Sequence, residues 1–168
     1  MIGNTNREGL FNVRQFNLEP SIVAKYNENP EYYVPTSYNI FNDPSKVKEV
    51  ADVMRNVYFH GENMTSDEKD EFANFQTDAG YKFSTDRFVK LYAQKSKDPI
   101  YYYQFSYDGA LNFIKTFLFL KGYKGAAHAD DIFYLFKPGF PELVFPSNYA
   151  FEVRKRNLRM WANFVKTG

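Results

Sequence analysis

The chain contains no cysteine and no excess of either charge. Without cysteine, its 168 residues can form neither a disulfide nor a thiolate metal site. The 21 Lys and Arg residues and the 20 Asp and Glu residues give a formal net charge of +1, and no basic stripe interrupts this balance. A nucleic acid or an anionic membrane surface would call for concentrated positive charge. We therefore expect no nucleic-acid partner.

Long apolar segments are missing as well. No run of about 18 apolar residues occurs, so we expect no membrane span. Residues 1–12 are polar and lack the apolar segment of a signal peptide. The glycosylation sequon Asn63-Met64-Thr65 matters only if a parent protein is secreted. The sequence leaves the localisation open, secretion of a parent protein included.

Aromatic residues, in contrast, are abundant. The sequence has 18 Phe and 14 Tyr, and aromatic residues make up 20% of the chain. Aromatic side chains bury large areas and line apolar pockets. The simplest interpretation is a bulky core with some surface tyrosines. The alternatives are a pocket for an apolar substrate, or a surface that another segment covers.

Local patterns predict helices and two short strands. Residues 1–5 have the pattern of a strand end, and residues 100–105 form a β-branched and aromatic run that a turn follows. Start signals and apolar spacing predict helices over residues 44–59, from Ser66-Asp67-Glu68 onward, and over residues 86–96, 130–136 and 148–166. This pattern indicates an α/β fold, but two strands are too few for an independent sheet. The sheet needs neighbouring strands that the sequence does not supply.

The last predicted helix is amphipathic. Its apolar residues recur at three- and four-residue spacing, which places them on one face. We expect the following residues to face inward: Phe151, Leu158, Trp161, Ala162 and Val165. The helix before it is expected to close at Pro138-Gly139.

Only two histidines are present, His60 and His128. His60 has no distinctive neighbours, and we expect it at the surface. His128 follows small residues that let a substrate or another backbone come close. A metal site at His128 with Asp130 and Asp131 would lack further ligands such as a second histidine, so we predict no metal. Paired acids for glycoside hydrolysis stay open, although nothing marks any pair.

Four motifs in the chain resemble those of one family. Residues 3–9 (GNTNREG) resemble the acid motif of type-B carboxylesterases and cholinesterases, and residues 101–109 (YYYQFSYDG) the strand before the histidine loop of insect esterases. Residues 125–136 (GAAHADDIFYLF) are similar to the family's GxxHxxD/E motif, and residues 159–168 to its closing helix. The resemblance covers the whole chain. The insect carboxylesterases, including members similar to juvenile hormone esterases, are the group that it indicates.

The resemblance implies a fold and a set of roles. The fold would be the C-terminal part of an α/β-hydrolase, with helices around the last strands of a mostly parallel sheet. Residues 1–168 would be one partial domain, truncated at both ends. Glu8 takes the place of the triad acid and His128 that of the general base, in the order that such hydrolases show. Asp131 would help to orient the histidine loop, or be structural.

The nucleophile of such a triad is absent from the sequence. No serine lies in a GxSxG turn, and no HGGG-like oxyanion loop is present. The resemblance therefore implies part of a serine carboxylic ester hydrolase, inactive alone and without a cofactor. Its partners would be the missing N-terminal half of the same domain and a small apolar ester. The alternatives are a catalytically dead, esterase-like adhesion or binding protein, and a separately expressed interaction fragment with an exposed sheet edge.

Overall fold

A two-stranded parallel sheet organises the chain, which a computed structural model describes at residues 1–19, 21–137 and 148–168. Strand β1 is Ile2–Thr5 and strand β2 is Tyr102–Phe105, and Ile2 pairs with Tyr102. Both predicted strands are confirmed, although β2 begins at Tyr102 rather than at residue 100. Because the strands are parallel, their carboxyl ends lie at the same edge of the sheet. The segments that follow the two strands therefore meet at that edge.

Helices occupy most of the remaining described chain. The α-helices are α1 (Leu10–Leu18), α2 (Ser21–Glu28), α3 (Pro44–Phe59), α4 (Lys69–Thr77), α5 (Phe83–Lys95), α6 (Phe113–Phe117) and α7 (Asn148–Thr167). Three 3-10 helices lie at Pro30–Tyr33, Thr36–Tyr38 and Asp130–Tyr134, and a π-helical turn lies at Asp78–Lys82. No helix in the described part of the chain is both long and apolar enough to cross a bilayer.

The first long helix, α3, begins and ends where its sequence predicts. Asp43 caps it, because its carboxylate accepts a hydrogen bond from the Lys46 amide at 3.2 Å. Pro44 occupies the first turn, where an N–H would have no helical partner. The helix stops at Phe59 because His60 adopts a left-handed conformation, with a φ of 56°. His60 is exposed, as predicted.

Helices α4 and α5 form one continuous helical segment. The predicted start signal at Ser66-Asp67-Glu68 directly precedes α4. The next helix begins at Phe83, earlier than the predicted Asp86, because the π-helical turn Asp78–Lys82 joins it directly to α4. The sequence predicted two separate helices, since a π-helical turn has no distinctive composition.

The largest apolar core lies among the helices and consists mainly of aromatic rings. Tyr26 is central, with the ring centroids of Tyr33 and Phe72 at 5.2 and 5.4 Å, both in T-shaped contacts. The buried members of this core are Phe16, Ile22, Tyr26, Tyr33, Val34, Val47, Ala51, Phe59, Met64, Phe72 and Phe75. Part of the aromatic content is therefore used for core packing, the simplest of the three interpretations.

The last helix, α7, packs on the sheet through a different face than the sequence predicts. Ala150 is fully buried, and the rings of Trp161 and Phe164 contact those of Tyr103 and Tyr101 in T-shaped pairs. The residues on this face have spacings typical of one side of a helix. The contacts with the two strand tyrosines therefore determine which side of α7 is buried.

The predicted inward face of α7 is wrong for four of its five residues. In the described part of the chain, Phe151 is 41% exposed, Leu158 42% and Val165 78%, and Ala162 is exposed as well. Trp161 alone among the five is half-buried. The physical reason is that α7 has two adjacent apolar stripes, and the strand tyrosines cover only one.

The short helix after His128 anchors the chain to strand β2. It is a 3-10 helix at Asp130–Tyr134, where residues 130–136 were predicted to be helical. The ring of Tyr134 lies 4.9 Å from that of Phe105 on β2, and its hydroxyl donates to Asn112 Oδ1 at 2.9 Å. The predicted end at Pro138-Gly139 lies outside the described residues.

Candidate active site

The turn after β1 carries Glu8, the predicted acid. Residues 6–9 form this turn, and Glu8 is only 4% exposed. Its Oε1 accepts a hydrogen bond from the Thr5 amide at 2.6 Å. A buried carboxylate needs such donors because burial removes its water. The backbone of β1 therefore fixes the direction of the Glu8 side chain.

Gly9 lets helix α4 approach this turn closely. Its N–H donates to Thr77 Oγ1 at 2.9 Å. A Cβ atom at Gly9 would lie 2.2 Å from the carbonyl oxygen of Ala73 and 2.7 Å from the Thr77 nitrogen. Both distances are well inside van der Waals contact, so any side chain at this position would displace α4. Glycine therefore keeps the end of α4 against the Glu8 turn.

The loop that carries His128 is joined to the same turn through its backbone. The Ala126 N–H donates to Asn6 Oδ1 at 2.9 Å, and the Arg7 N–H donates to the Ala126 carbonyl at 3.1 Å. Gly125 has a φ of +95°, and a Cβ atom there would lie 2.5 Å from Arg7 Cγ. The small residues before His128 therefore admit another segment of backbone, one of the two uses that the sequence left open.

Glu8 and His128 meet at this edge of the sheet. Oε2 of Glu8 lies 2.7 Å from Nδ1 of His128, a residue 120 positions later in the chain. The hydrogen bond with Glu8 is the main cause that raises the pKa of His128, while partial burial opposes the rise and the charges of Glu8 and Asp131 add to it. Since a carboxylate can only accept, Nδ1 carries the proton and Nε2 is the basic nitrogen of the neutral ring.

Asp130 is the carboxylate that holds the histidine loop. It is fully buried, and it accepts hydrogen bonds from the amides of Ala127 at 2.8 Å and Ile114 at 2.9 Å, with the Lys115 amide at 3.4 Å. Burial raises the pKa of Asp130 to about 6, against the opposing effect of these hydrogen bonds. Its side chain thus connects the loop to the first turn of α6.

Asp131, which was predicted to orient this loop, contacts strand β2. Its Oδ2 accepts a hydrogen bond from the Tyr103 hydroxyl at 2.9 Å. Its charge also acts on His128, whose pKa it helps to raise. The GxxHxxD/E motif selects Asp131 of two adjacent acids, but in the structure Asp130 is the fully buried one. The orienting role of Asp131 stays a prediction, whereas the contacts with the loop backbone belong to Asp130.

Lys115 is a buried lysine that the sequence analysis missed. Its side chain is 3% exposed, and its Nζ donates to Asp108 Oδ1 at 2.7 Å and to the carbonyls of Tyr123 and Gly125 at 2.5 and 2.9 Å. The other oxygen of Asp108 accepts from the Gly125 N–H at 3.0 Å. The available signal was a single lysine inside the apolar residues 113–120 (FIKTFLFL). Lys115 and Asp108 together fix the loop just before His128.

Two aromatic rings contact the imidazole of His128. The ring centroid of Phe11 is 5.8 Å away with planes inclined by 73°, and that of Tyr81 is 5.2 Å away with planes inclined by 42°. The His128 side chain is 46% exposed despite these contacts. Both rings lie far from His128 in sequence, and no motif marks them. Among the described residues, Glu8 is the hydrogen-bonding partner of this imidazole.

Comparison with known proteins identifies the family of the chain. The sequence model of the Carboxylesterase family matches residues 1–168. The chain belongs to the carboxylesterase family. Its fold is similar to the crystal structure of juvenile hormone esterase from Manduca sexta with OTFP covalently attached, with a TM-score of 0.79 and 26% identity over 99% of this chain and 31% of that one. The prediction of a C-terminal α/β-hydrolase part is thereby confirmed.

Curated relatives of this carboxylesterase-family chain are insect esterases, as the resemblance indicated. Juvenile hormone esterase of Heliothis virescens is 26% identical over 170 residues, which is 99% of this chain and 29% of that protein. Esterase E4 of Myzus persicae is 25% identical over 147 residues, covering 85% of this chain and 26% of that protein. The chain therefore spans less than a third of the length of these relatives.

Proposed function

We propose that the chain supplies the acid and the base of a serine-dependent carboxylic ester hydrolase, with Glu8 as the acid and His128 as the base. The observation that carries this proposal is the 2.7 Å contact between Glu8 Oε2 and His128 Nδ1. A carboxylate on one ring nitrogen holds the imidazole in the tautomer that a general base needs. Membership of the carboxylesterase family supports ester hydrolysis as the reaction. A binding protein without catalysis, the alternative from the sequence, would not need this pair.

In the proposed mechanism, His128 takes up a proton and gives it away again in each of two half-reactions. Its neutral Nε2 accepts the proton of a serine hydroxyl while the serine oxygen attacks the ester carbonyl. Glu8 stabilises the imidazolium without becoming protonated. His128 then gives the proton to the leaving alkoxide, so that an acyl-serine remains. A water then loses a proton to the same nitrogen and attacks the acyl-serine, and His128 returns that proton to the serine oxygen as the acid leaves, which restores the enzyme.

The serine of this mechanism comes from a segment outside the 168 residues. None of the serines in the chain lies in a GxSxG turn, which α/β-hydrolases use to expose the nucleophile. The proposed partner is the remaining part of the same domain, and the proposed substrate is a small ester with an apolar group. Two relatives are named juvenile hormone esterases, so a juvenile hormone ester is a candidate substrate of the complete protein.

The first experiment tests whether the chain is inactive alone. The purified chain is incubated with p-nitrophenyl acetate, beside a His128→Ala variant that reports background hydrolysis by the other side chains. We expect neither protein to show turnover that a serine-directed organophosphate inhibits, because the chain has a base but no activated serine. Turnover that a serine-directed organophosphate abolishes would contradict the proposed division of the triad.

The second experiment tests the acid–base pair itself. The chain has only His60 and His128, so both can be titrated by NMR, with the exposed His60 as an internal reference. Glu8→Gln keeps an acceptor for the Thr5 amide but removes the negative charge. The pKa of His128 should therefore fall in the variant. A His128 pKa that is the same in both proteins would refute the role of Glu8.

A further inference from the structure

We propose that Tyr81 is a positioning residue for His128. The phenol ring of Tyr81 lies against the imidazole and keeps it in contact with Glu8. The two ring centroids are 5.2 Å apart. The hydrogen bond to Glu8 fixes one ring nitrogen, but a single bond leaves a half-exposed imidazole free to turn about it. Contacts with two rings restrain that rotation, and the ring of Tyr81 is nearer than that of Phe11, whose centroid is 5.8 Å away. The inference rests on the proposed role of His128 as the base.

A π-helical turn places Tyr81 at this position. The turn Asp78–Lys82 separates α4 from α5, and the Phe83 N–H donates to the Asp78 carbonyl. Such a turn contains more residues than an α-helical one, which changes the direction of the side chains that follow. The hydroxyl of Thr85 donates to the Tyr81 carbonyl at 3.0 Å and so satisfies an acceptor of the widened turn. Turns of this kind are rare inside helices and are frequent at functional sites.

The helical segment that carries Tyr81 is held against the acid turn. Thr77, the last residue of α4, accepts a hydrogen bond from the Gly9 N–H at 2.9 Å. Asp78, the first residue of the π-helical turn, accepts a hydrogen bond from the Tyr58 hydroxyl at 2.8 Å. The start of the π-helical turn is thereby fixed twice, by a bond with the acid turn and by a bond with α3. The acid and the ring of Tyr81 thus belong to one packed unit.

The contact also affects the charge of the imidazole. An aromatic ring attracts a cation that lies over its face and within about 6 Å of its centroid, and the planes of Tyr81 and His128 are inclined by 42°. The imidazolium of the proposed mechanism would therefore be stabilised by Tyr81 in addition to Glu8. The charged side chains that act on His128 are those of Glu8 and Asp131, and substitution of Tyr81 leaves both in place. The contribution of the ring can thus be measured separately.

The test is an NMR titration of His128 in the whole chain and in three variants. Tyr81→Leu removes the ring, Tyr81→Phe retains it, and Tyr92→Leu removes a tyrosine elsewhere on α5 as a matched control. We expect Tyr81→Leu to lower the pKa of His128 by about 0.5 and to weaken the Nδ1–H resonance through faster exchange. Tyr81→Phe and Tyr92→Leu should retain both the pKa and the resonance. His60 and circular dichroism report whether each variant is folded.

The outcomes separate this inference from the proposed function. Tyr81→Leu with an unchanged His128 pKa and an unchanged Nδ1–H resonance would overturn the positioning role. If Tyr81→Leu reduces the folded fraction, Tyr81→Met provides the same comparison with a longer and more flexible side chain. Glu8→Gln is titrated in parallel, and a lower His128 pKa in that variant supports the acid–base pair whatever the result at Tyr81. Loss of the effect in Tyr81→Phe would also overturn the inference, since the hydroxyl rather than the ring would then be required.

Discussion

Lys115 and Asp108 form an ion pair whose two members differ in exposure. Nζ of Lys115 lies 2.7 Å from Oδ1 of Asp108, and the lysine side chain is 3% exposed where the aspartate is 42% exposed. Both side chains bind the backbone of Gly125. Lys115 donates to the Gly125 carbonyl, and Asp108 accepts from the Gly125 N–H. Since Gly125 precedes His128 closely in the loop, the position of the proposed base depends on a pair that does not touch it.

Lys115→Met should lower the free energy of unfolding by about 3 kcal/mol, because a half-exposed carboxylate loses its ion-pair partner and two backbone carbonyls lose a buried donor. Asp108→Asn should have a smaller effect, since water reaches the aspartate. The double variant should be destabilised by less than the sum of the two single variants, because the pair can be lost only once. Urea denaturation measures all three, and additive effects would exclude the coupling.

Asp130→Ala should destabilise the chain more than Asp131→Ala. The first variant leaves buried amides of Ala127 and Ile114 without an acceptor, which corresponds to about 3 kcal/mol. The second variant removes one hydrogen bond from Tyr103, which corresponds to about 1 kcal/mol. Urea midpoints of the two variants give the comparison. Equal effects would mean that Asp130 does not hold the loop.

Gly9→Ala should lower the free energy of unfolding by about 2 kcal/mol, because its Cβ atom would overlap the Ala73 carbonyl and force α4 outward. Gly122→Ala is the matched control, since nothing lies within 4 Å of a Cβ atom there. Its effect should stay within about 0.5 kcal/mol. Thermal denaturation of both variants is a sufficient measurement. Similar melting temperatures would show that the Glu8 turn tolerates a displaced α4.

The stability of the chain should fall as the pH rises through the His128 titration. Because the hydrogen bond with Glu8 raises the pKa of His128 in the folded chain, the stabilisation is fully present below the unfolded value of about 6.5. It is lost as the pH rises through the folded value. Asp130, whose pKa is about 6, titrates at lower pH. The expected decline therefore begins near the unfolded value of about 6.5 and continues until the pH has passed the raised pKa of His128 in the folded chain.

Glu8→Gln is the control for this pH dependence. The variant lacks the charge and the strong acceptor that raise the His128 pKa, so its decline over the same interval should be smaller. Urea denaturation at several pH values gives both profiles. Parallel profiles would indicate that another group causes the decline.

Leu158→Lys and Trp161→Ala test the observed orientation of α7. Leu158 is 42% exposed, so its substitution should change the free energy of unfolding by no more than about 0.5 kcal/mol. Trp161 packs on Tyr103, and its truncation should lower the free energy by about 2 kcal/mol. The measurement is urea denaturation. A larger effect at Leu158 than at Trp161 would support the orientation of α7 that the sequence predicted.

Features with a local physical cause could be predicted from the sequence. The first residue of α3 follows from a capping aspartate and a proline. Its last residue follows from the left-handed backbone conformation of His60. The strand β2 follows from its aromatic composition. Glu8 and His128 were identified as candidates through motifs that resemble a family, and their catalytic roles stay predictions. Their proximity depends on the parallel pairing of two strands, which no local pattern specifies.

Features that depend on burial could not be predicted in the same way. The GxxHxxD/E motif selects Asp131, although it is the neighbouring Asp130 that lies against the amides of α6. Lys115 has no local motif, because its acceptors come from a loop that folds back onto α6. The contact of Tyr81 requires a π-helical turn and a helix docked on the acid turn. In α7, the residues of two apolar stripes have nearly equal spacing, and contacts with Tyr101 and Tyr103 of the β2 region determine which stripe is buried.

The parallel pairing of β1 with β2 has a consequence for the order of folding. Residues 6–101 must cross from the end of one strand to the start of the other, and closing so long a segment has an entropic cost that precedes any gain from pairing. The aromatic core around Tyr26 lies inside that segment and is made of contacts closer in sequence. We expect this core to form first and to bring the strands together. The Glu8–His128 contact would then form last, so the candidate site would exist only in the completely folded chain.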